Sequence, residues 1–178
     1  MHPDDFFLKL TQRAEADTAV VAILRRSASY DPGLYPPAFP AIEPYVHGLG
    51  DWQRKAAYLA AACWAQATRR DHGQGLALPV AARTLRNHQA MGSKNIEQRF
   101  TALLDADSDE LQWRLRHLTS QLAAAAIPVD WPALLKDLWA WNSQTRHVQI
   151  KWAREFWSSP PAKNTTKSAA KSSAATTT

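Results

Sequence analysis

The stretch RHVQIKWAREFW at residues 146–157 interleaves bases with aromatic rings. Those two residue types together can hold nucleic acid, the cation on a phosphate and the ring against a base face. A helical wheel separates them. At about 100° per residue, Val148, Trp152 and Phe156 share one side, Ile150, Ala153 and Trp157 a second, and His147, Lys151 and Arg154 a third strip within about 60° of each other. The aromatics therefore read as core or interface and the bases as a separate line, not as a stacking ladder. The spacing predicts a buried Trp152 and an exposed Lys151. A line of bases suits plain solvation as well as a phosphate contact, and periodicity does not choose between them.

A second such surface accompanies the leucine stripe Leu111, Leu115, Leu118 and Leu122. Opposite the stripe stand Trp113, Arg114, Arg116 and His117, with Trp113 about 160° from its centre. A large aromatic so placed packs on another helix, meets a partner or stacks on a base. LRRS at 24–27 sets Arg25 and Arg26 at a helix end, where they also suit the helix dipole. Arg69, Arg70, Arg83, Arg86, Lys94 and Arg99 make the middle of the chain locally basic, against only Asp71 and Glu97.

Other chemistry finds less support. Asp105, Asp107 and Asp109 of DADSDE open like a calcium loop. Glu110 then stands where the sharp turn needs glycine, and Arg116 where a bidentate glutamate belongs. The run reads as an acidic helix start, with Asp107 and Glu110 at capping-box spacing. The six histidines form no recognised metal pair, and there is no His-Glu-x-x-His, Walker loop, nucleophile elbow or Cys-x-x-Cys. No catalytic signature stands out, although carboxylates from distant positions could still converge.

Helices must position these residues. Phe6, Phe7, Leu10 and Ala14 mark a first helix, and Asp17 can cap a second through Val20, Val21, Ile23 and Leu24. The prolines of PGLYPPAFPAIEP exclude a long helix and imply an ordered connector. Asp51 can cap a helix of about 18 residues whose narrow face holds Trp52, Ala56, Leu59, Ala60, Cys63 and Ala67. RRDHGQG reads as a turn or exposed loop. A helix at about 79–90 follows, ended by MGS, and Ser93 can cap the next, with Ile96, Phe100, Leu103 and Leu104 inward. Asp130 can cap ALLKDLWAW. No strand-period segment of useful length is present. The expected fold is all-α: a compact bundle of about eight to nine helices over residues 1–157, in two small lobes at 1–90 and 91–157. Residues 158–178 are too poor in large apolar side chains to order, so a disordered Ser/Thr/Ala/Lys tail is expected.

The totals set bounds. The chain has 178 residues, is 46% hydrophobic and carries only six glycines, a globular and helix-favouring composition. Its formal net charge is +5, but three of the 21 lysines and arginines lie in the tail, leaving 18 against 16 acids elsewhere. A nucleic-acid surface must therefore rest on clustering rather than bulk charge. The single cysteine, Cys63, excludes a disulfide framework and an all-cysteine zinc site. The start MHPDDFF lacks a secretory pattern, and no apolar run is long enough for a bilayer, so a cytoplasmic protein without membrane contact is expected.

Taken in order, LRRS, YPPAFPAIEPYV, EQRFTALLDADSDELQWRLRHL, VDWPALLKDLWAW and RHVQIKWAREFW resemble the CasB family, the small subunit of the type I-E CRISPR surveillance complex Cascade. They span about residues 20–157. The resemblance implies an all-helical, two-lobed protein without enzymatic activity, and the residues themselves give no reason to expect a cofactor or metal. It implies a pair of copies in contact with the large subunit and with the backbone subunits that carry the guide RNA. It further implies that the R-loop is stabilised by holding single-stranded DNA through basic surface residues, without reading sequence. Carried over residue by residue, the candidates are Arg25 and Arg26 of LRRS, Arg99 of EQRF, Arg114 and Arg116 of RLRH, and Arg146 with Lys151 of the last motif.

Two other classes compete. A helical adaptor binding only protein would leave the arginines solvated or paired with a partner's acids. A small hydrolase with dispersed carboxylates would show turnover in the isolated protein.

Overall fold

The computed structural model describes residues 1–67, 75–88 and 93–158. Among them the fold is all-α. The helices are α1 (Pro3–Ala16), α2 (Ala19–Ser27), a 3-10 turn (Pro36–Ala38), α3 (Phe39–Val46), α4 (Asp51–Gln66), α5 (Leu78–His88), α6 (Ser93–Asp105), α7 (Ser108–Ala124), α8 (Trp131–Trp139) and α9 (His147–Trp157). The expected loop RRDHGQG lies outside the described residues except for Gly75, as do Met91 and Gly92 of MGS and the tail beyond Ser158.

Alanine sets the architecture. Residues 56–65 of α4 are buried without interruption, where the narrow-face reading expected one inward stripe. Small side chains on every side let α2, α3, α7 and α8 all pack against this one helix. Around it, α1 packs on α8, α5 on α6 and α9, and α6 on α7 and α9. One buried apolar cluster runs from Phe6 to Phe156. Indoles tie it together through reciprocal bonds: Trp52 Nε1 donates to the Leu138 carbonyl at 2.8 Å and Trp139 Nε1 to that of Gln53 at 3.1 Å. Each satisfies a polar handle on a large apolar body.

The helix starts follow their caps. Asp107 accepts from the backbone N–H of Asp109 and Glu110, and Asp130 from that of Ala133. Asp17 accepts from Ala19 N–H at 2.9 Å. Asp51 differs from expectation: Gly50 occupies the cap position and no side-chain bond is made there. The proline-rich connector also holds more helix than expected, since α3 contains Pro44. Eight residues are short enough that one missing backbone donor is tolerated. An isolated parallel bridge joins Leu76 to Val129, the one β-type pairing among the described residues.

Candidate nucleic-acid interface

The face of α7 away from its leucines builds the strongest candidate. Leu111, Leu115, Leu118 and Leu122 are buried as their spacing requires, and Trp113 stands out with 58% of its surface exposed. Glu110, Trp113, Arg114 and His117 recur at i, i+3, i+4 and i+7, so one helical face presents all four. Across from them α6 contributes Asn95, Gln98, Arg99 and Ala102. Together these eight residues line a groove of about 490 Å³. The Arg99 side chain makes no hydrogen bond or ion pair with another described residue. Arg114 is held by Glu110 one turn back, at 2.8 Å, a surface pair worth little by itself.

Trp113 also borders a second groove of about 650 Å³, whose floor includes Trp52, Ala56 and Leu59. Its charged lining is acidic, with Asp31, Asp51 and Asp109 against Lys55 alone. The indole is thus a ridge between a basic and an acidic channel. The DADSDE turn serves the acidic side and the cap of α7.

Arg116 overturns an expectation. The wheel places it on the surface with Trp113, yet it is only 7% exposed. The segment after α2 covers it: its Nη2 donates to the Tyr30 carbonyl at 2.8 Å. Its guanidinium lies 5.3 Å from the centre of the Trp113 ring, a cation–π contact that supports the indole from its own helix. Burial lowers the Arg116 pKa from its usual value, with Cys63 and Asp31 acting in the opposite direction. A wheel assumes solvent opposite the core, and here the connector fills that space.

The other candidates are dispersed. Arg25 is exposed at the end of α2, but its Nε and Nη2 both donate to the Ala65 carbonyl, at 3.2 and 3.1 Å. It satisfies an orphan acceptor of the last turn of α4. Arg26 is exposed, and its side chain bonds no other described residue. Arg146 takes a left-handed conformation at φ 49°, and its Nη2 donates to the Leu104 carbonyl at 2.7 Å. That bond ties the start of α9 to the end of α6. Lys151 is exposed, as its strip requires, and sits 3.0 Å from both carboxylate oxygens of Asp137. Of the seven candidates, only Arg99 and Arg114 meet in one groove. Sequence reading missed Asn95 and Gln98 there. The signal was the spacing of Asn95, Gln98, Arg99 and Ala102 on one side of α6, opposite Phe100.

Among the described residues no three metal-ligating side chains converge, and no helix is long and apolar enough to cross a membrane. Cys63 is wholly buried, and burial pushes its thiol up to about 11, so it holds almost no thiolate at neutral pH.

Comparison with known proteins places the chain. Residues 20–157 match the family model described as CRISPR-associated protein Cse2. A CRISPR-associated protein Cse2 from Thermus thermophilus is 42% identical over 163 residues, covering 88% of this chain and 91% of its own. The chain belongs to the Cse2 family of CRISPR-associated proteins. The crystal structure of M. ruber CasB superposes with a TM-score of 0.75 at 33% identity, over 88% of this chain and 93% of that one. The resemblance to CasB read from the sequence is thereby borne out. A chain of a CRISPR RNA-guided surveillance complex shares the fold, with a TM-score of 0.76 at 24% identity over 87% of this chain and 91% of that one. All seven basic candidates, and Trp113 with them, fall inside the Cse2 match.

Proposed function

We propose that this Cse2-family chain is the non-catalytic small subunit of a type I-E Cascade complex in antiviral defence. In that role it works in the cytoplasm beside the large subunit, the guide-RNA-carrying backbone subunits and a second copy of itself. It stabilises the R-loop by holding single-stranded DNA through its backbone. Family membership supplies the CRISPR setting, and the fold shared with a chain of a surveillance complex supports the assembly. The observation that carries the DNA contact is the groove between α6 and α7, where Arg99, Arg114 and His117 sit beside an exposed tryptophan. Cations with no base-reading element position a strand without specifying it. R-loop formation is a nearly balanced exchange, so a few such contacts are enough to tip it.

The test is the salt dependence of binding to a fluorescein-labelled single strand, comparing the unaltered chain with Arg26→Glu/Arg99→Glu. Both side chains are free of partners among the described residues, so the fold should be kept. Affinity should fall for all sequences alike, and the log–log salt slope should flatten by about 0.7 for each phosphate that is no longer neutralised. R-loops on relaxed, matched targets should dissociate faster. An unchanged slope with an unchanged R-loop lifetime would favour a protein-only adaptor instead. That second reading has its own support: the acidic groove beside Trp113 has the charge for a basic partner surface.

A further inference from the structure

We propose that Trp113 is a stacking platform for a nucleobase, with the strand lying in the α6–α7 groove and its phosphates on Arg99 and Arg114. This deepens the nucleic-acid reading and rests on it. Three observations carry it. First, Trp113 is 58% exposed on a helix whose opposite side is fully buried, so its position is no by-product of core packing. Second, the ring does not stand alone. The buried Arg116 guanidinium lies 5.3 Å from its centre, and that guanidinium is itself anchored to the Tyr30 carbonyl at 2.8 Å. An indole braced from below loses little side-chain freedom when something lands on it. Third, charge selects the side and the occupant. On one flank Asp31, Asp51 and Asp109 would repel a phosphate backbone. On the other, the bases Arg99, Arg114 and His117 outnumber the one acid, Glu110, whose ion pair with Arg114 at 2.8 Å is an exposed one that a phosphate can displace. A ring beside backbone-tracking cations is the arrangement that binds single strands irrespective of sequence, because every base has a π-face. Double-stranded DNA would not fit this scheme, since its bases are already stacked.

The experiment uses the full chain and two fluorescein-labelled oligonucleotides of equal length and charge, one of thymidines and one whose central nucleotides are abasic. Anisotropy titrations at low salt are run on the unaltered chain, Trp113→Ala and Trp113→Tyr. The unaltered chain should bind the intact strand about tenfold more tightly than the abasic one, as expected for one or two stacked bases. Trp113→Ala should lose that preference while keeping the abasic affinity and the salt slope, and Trp113→Tyr should retain most of it. If Trp113→Ala discriminates between the strands as the unaltered chain does, Trp113 is no base platform and a protein contact becomes its explanation. If the unaltered chain shows salt-dependent binding but no preference for the intact strand, stacking is overturned and the phosphate reading survives. Absence of salt-dependent binding to either strand overturns both. Circular dichroism of each variant should be unchanged and the melting midpoint of Trp113→Ala only slightly lowered, by loss of the ring contact with Arg116, which guards against a folding artefact.

Discussion

The Trp152 indole nitrogen donates to Asp137 at 2.7 Å, and Lys151 reaches the same carboxylate at 3.0 Å. One acid on α8 thus serves two neighbours on α9 that the helical wheel assigns to different faces. The core side of the pair also stacks, with Trp152 in ring contact with Phe100 and Trp141.

That arrangement separates two substitutions. Trp152 is wholly buried, so Trp152→Ala should destabilise by roughly 3–5 kcal/mol, because burial is forfeited and a cavity opens. Lys151→Ala removes only an exposed half of an ion pair and should cost less than about 0.5 kcal/mol. Urea midpoints measure both. Comparable losses of stability from the two would mean that the ion pair, not the indole, fastens α9.

Gly75 carries a constraint invisible to periodicity. A Cβ there would lie 2.1 Å from the Val129 carbonyl carbon and 2.4 Å from the Asp130 nitrogen. The backbone approaches so closely because Leu76 N–H donates to the Pro128 carbonyl at 3.1 Å and Asp130 N–H to that of Leu76 at 2.9 Å. Gly75→Ala should therefore break this pairing and destabilise by about 1–3 kcal/mol, as overpacking does generally. Alanine at Gly48, whose Cβ would meet nothing within 4 Å, is the control for lost glycine freedom, although its φ of 80° adds a strain of its own. A larger fall in melting midpoint at Gly75 than at Gly48 is the expected result.

The two glycines show what the sequence makes legible and what it does not. Helix phases are readable because one buried stripe is a local property: Leu111 to Leu122, Ile96 to Leu104, and Trp152 with Phe156 all face inward as spaced. The caps Asp107 and Asp130 are readable for the same reason. Arg116, Gly75 and the all-round burial of α4 are not. Each depends on which distant segment lies alongside, and spacing within a helix carries no such information. The candidate site divides in the same way. Trp113 is legible as an outward aromatic, but its position as a ridge between grooves of opposite charge depends on how α6 and the segment after α2 flank α7.

Glu43 predicts a pH dependence. Burial raises its pKa, but hydrogen bonds from Arg54 and Tyr58, with the charges of Arg54 and His47, outweigh that and leave it lowered. A carboxylate with a depressed folded pKa contributes stability that is present above its unfolded value, here about 4.5, and lost as pH falls through the folded one. Thermal melts of the unaltered chain and Glu43→Gln should therefore differ at pH 6 and converge as the pH drops below the usual carboxylate range. A gap that stays constant down to strong acid would show that the α3–α4 contact does not depend on this charge.

Arg116 and Arg99 should respond in opposite ways to charge reversal. Arg116 is 7% exposed, and its Nε and Nη1 have no hydrogen-bond partner among the described residues. Glutamate there would bury an uncompensated charge near Asp31, and a cost of about 3–5 kcal/mol is expected, as for breaking a buried ionic contact. Arg116→Met keeps the bulk and should cost less, chiefly the bond to the Tyr30 carbonyl, roughly 1–3 kcal/mol. Arg99→Glu, at a groove wall without a partner, should leave the melting midpoint nearly unchanged and weaken single-strand binding. The decisive comparison is the melting midpoint against DNA affinity for the three variants. Arg116 should move mainly the first and Arg99 mainly the second. If Arg116→Glu melts normally yet no longer binds DNA, the buried arginine reaches the strand after all, and the connector that covers it must open when DNA binds.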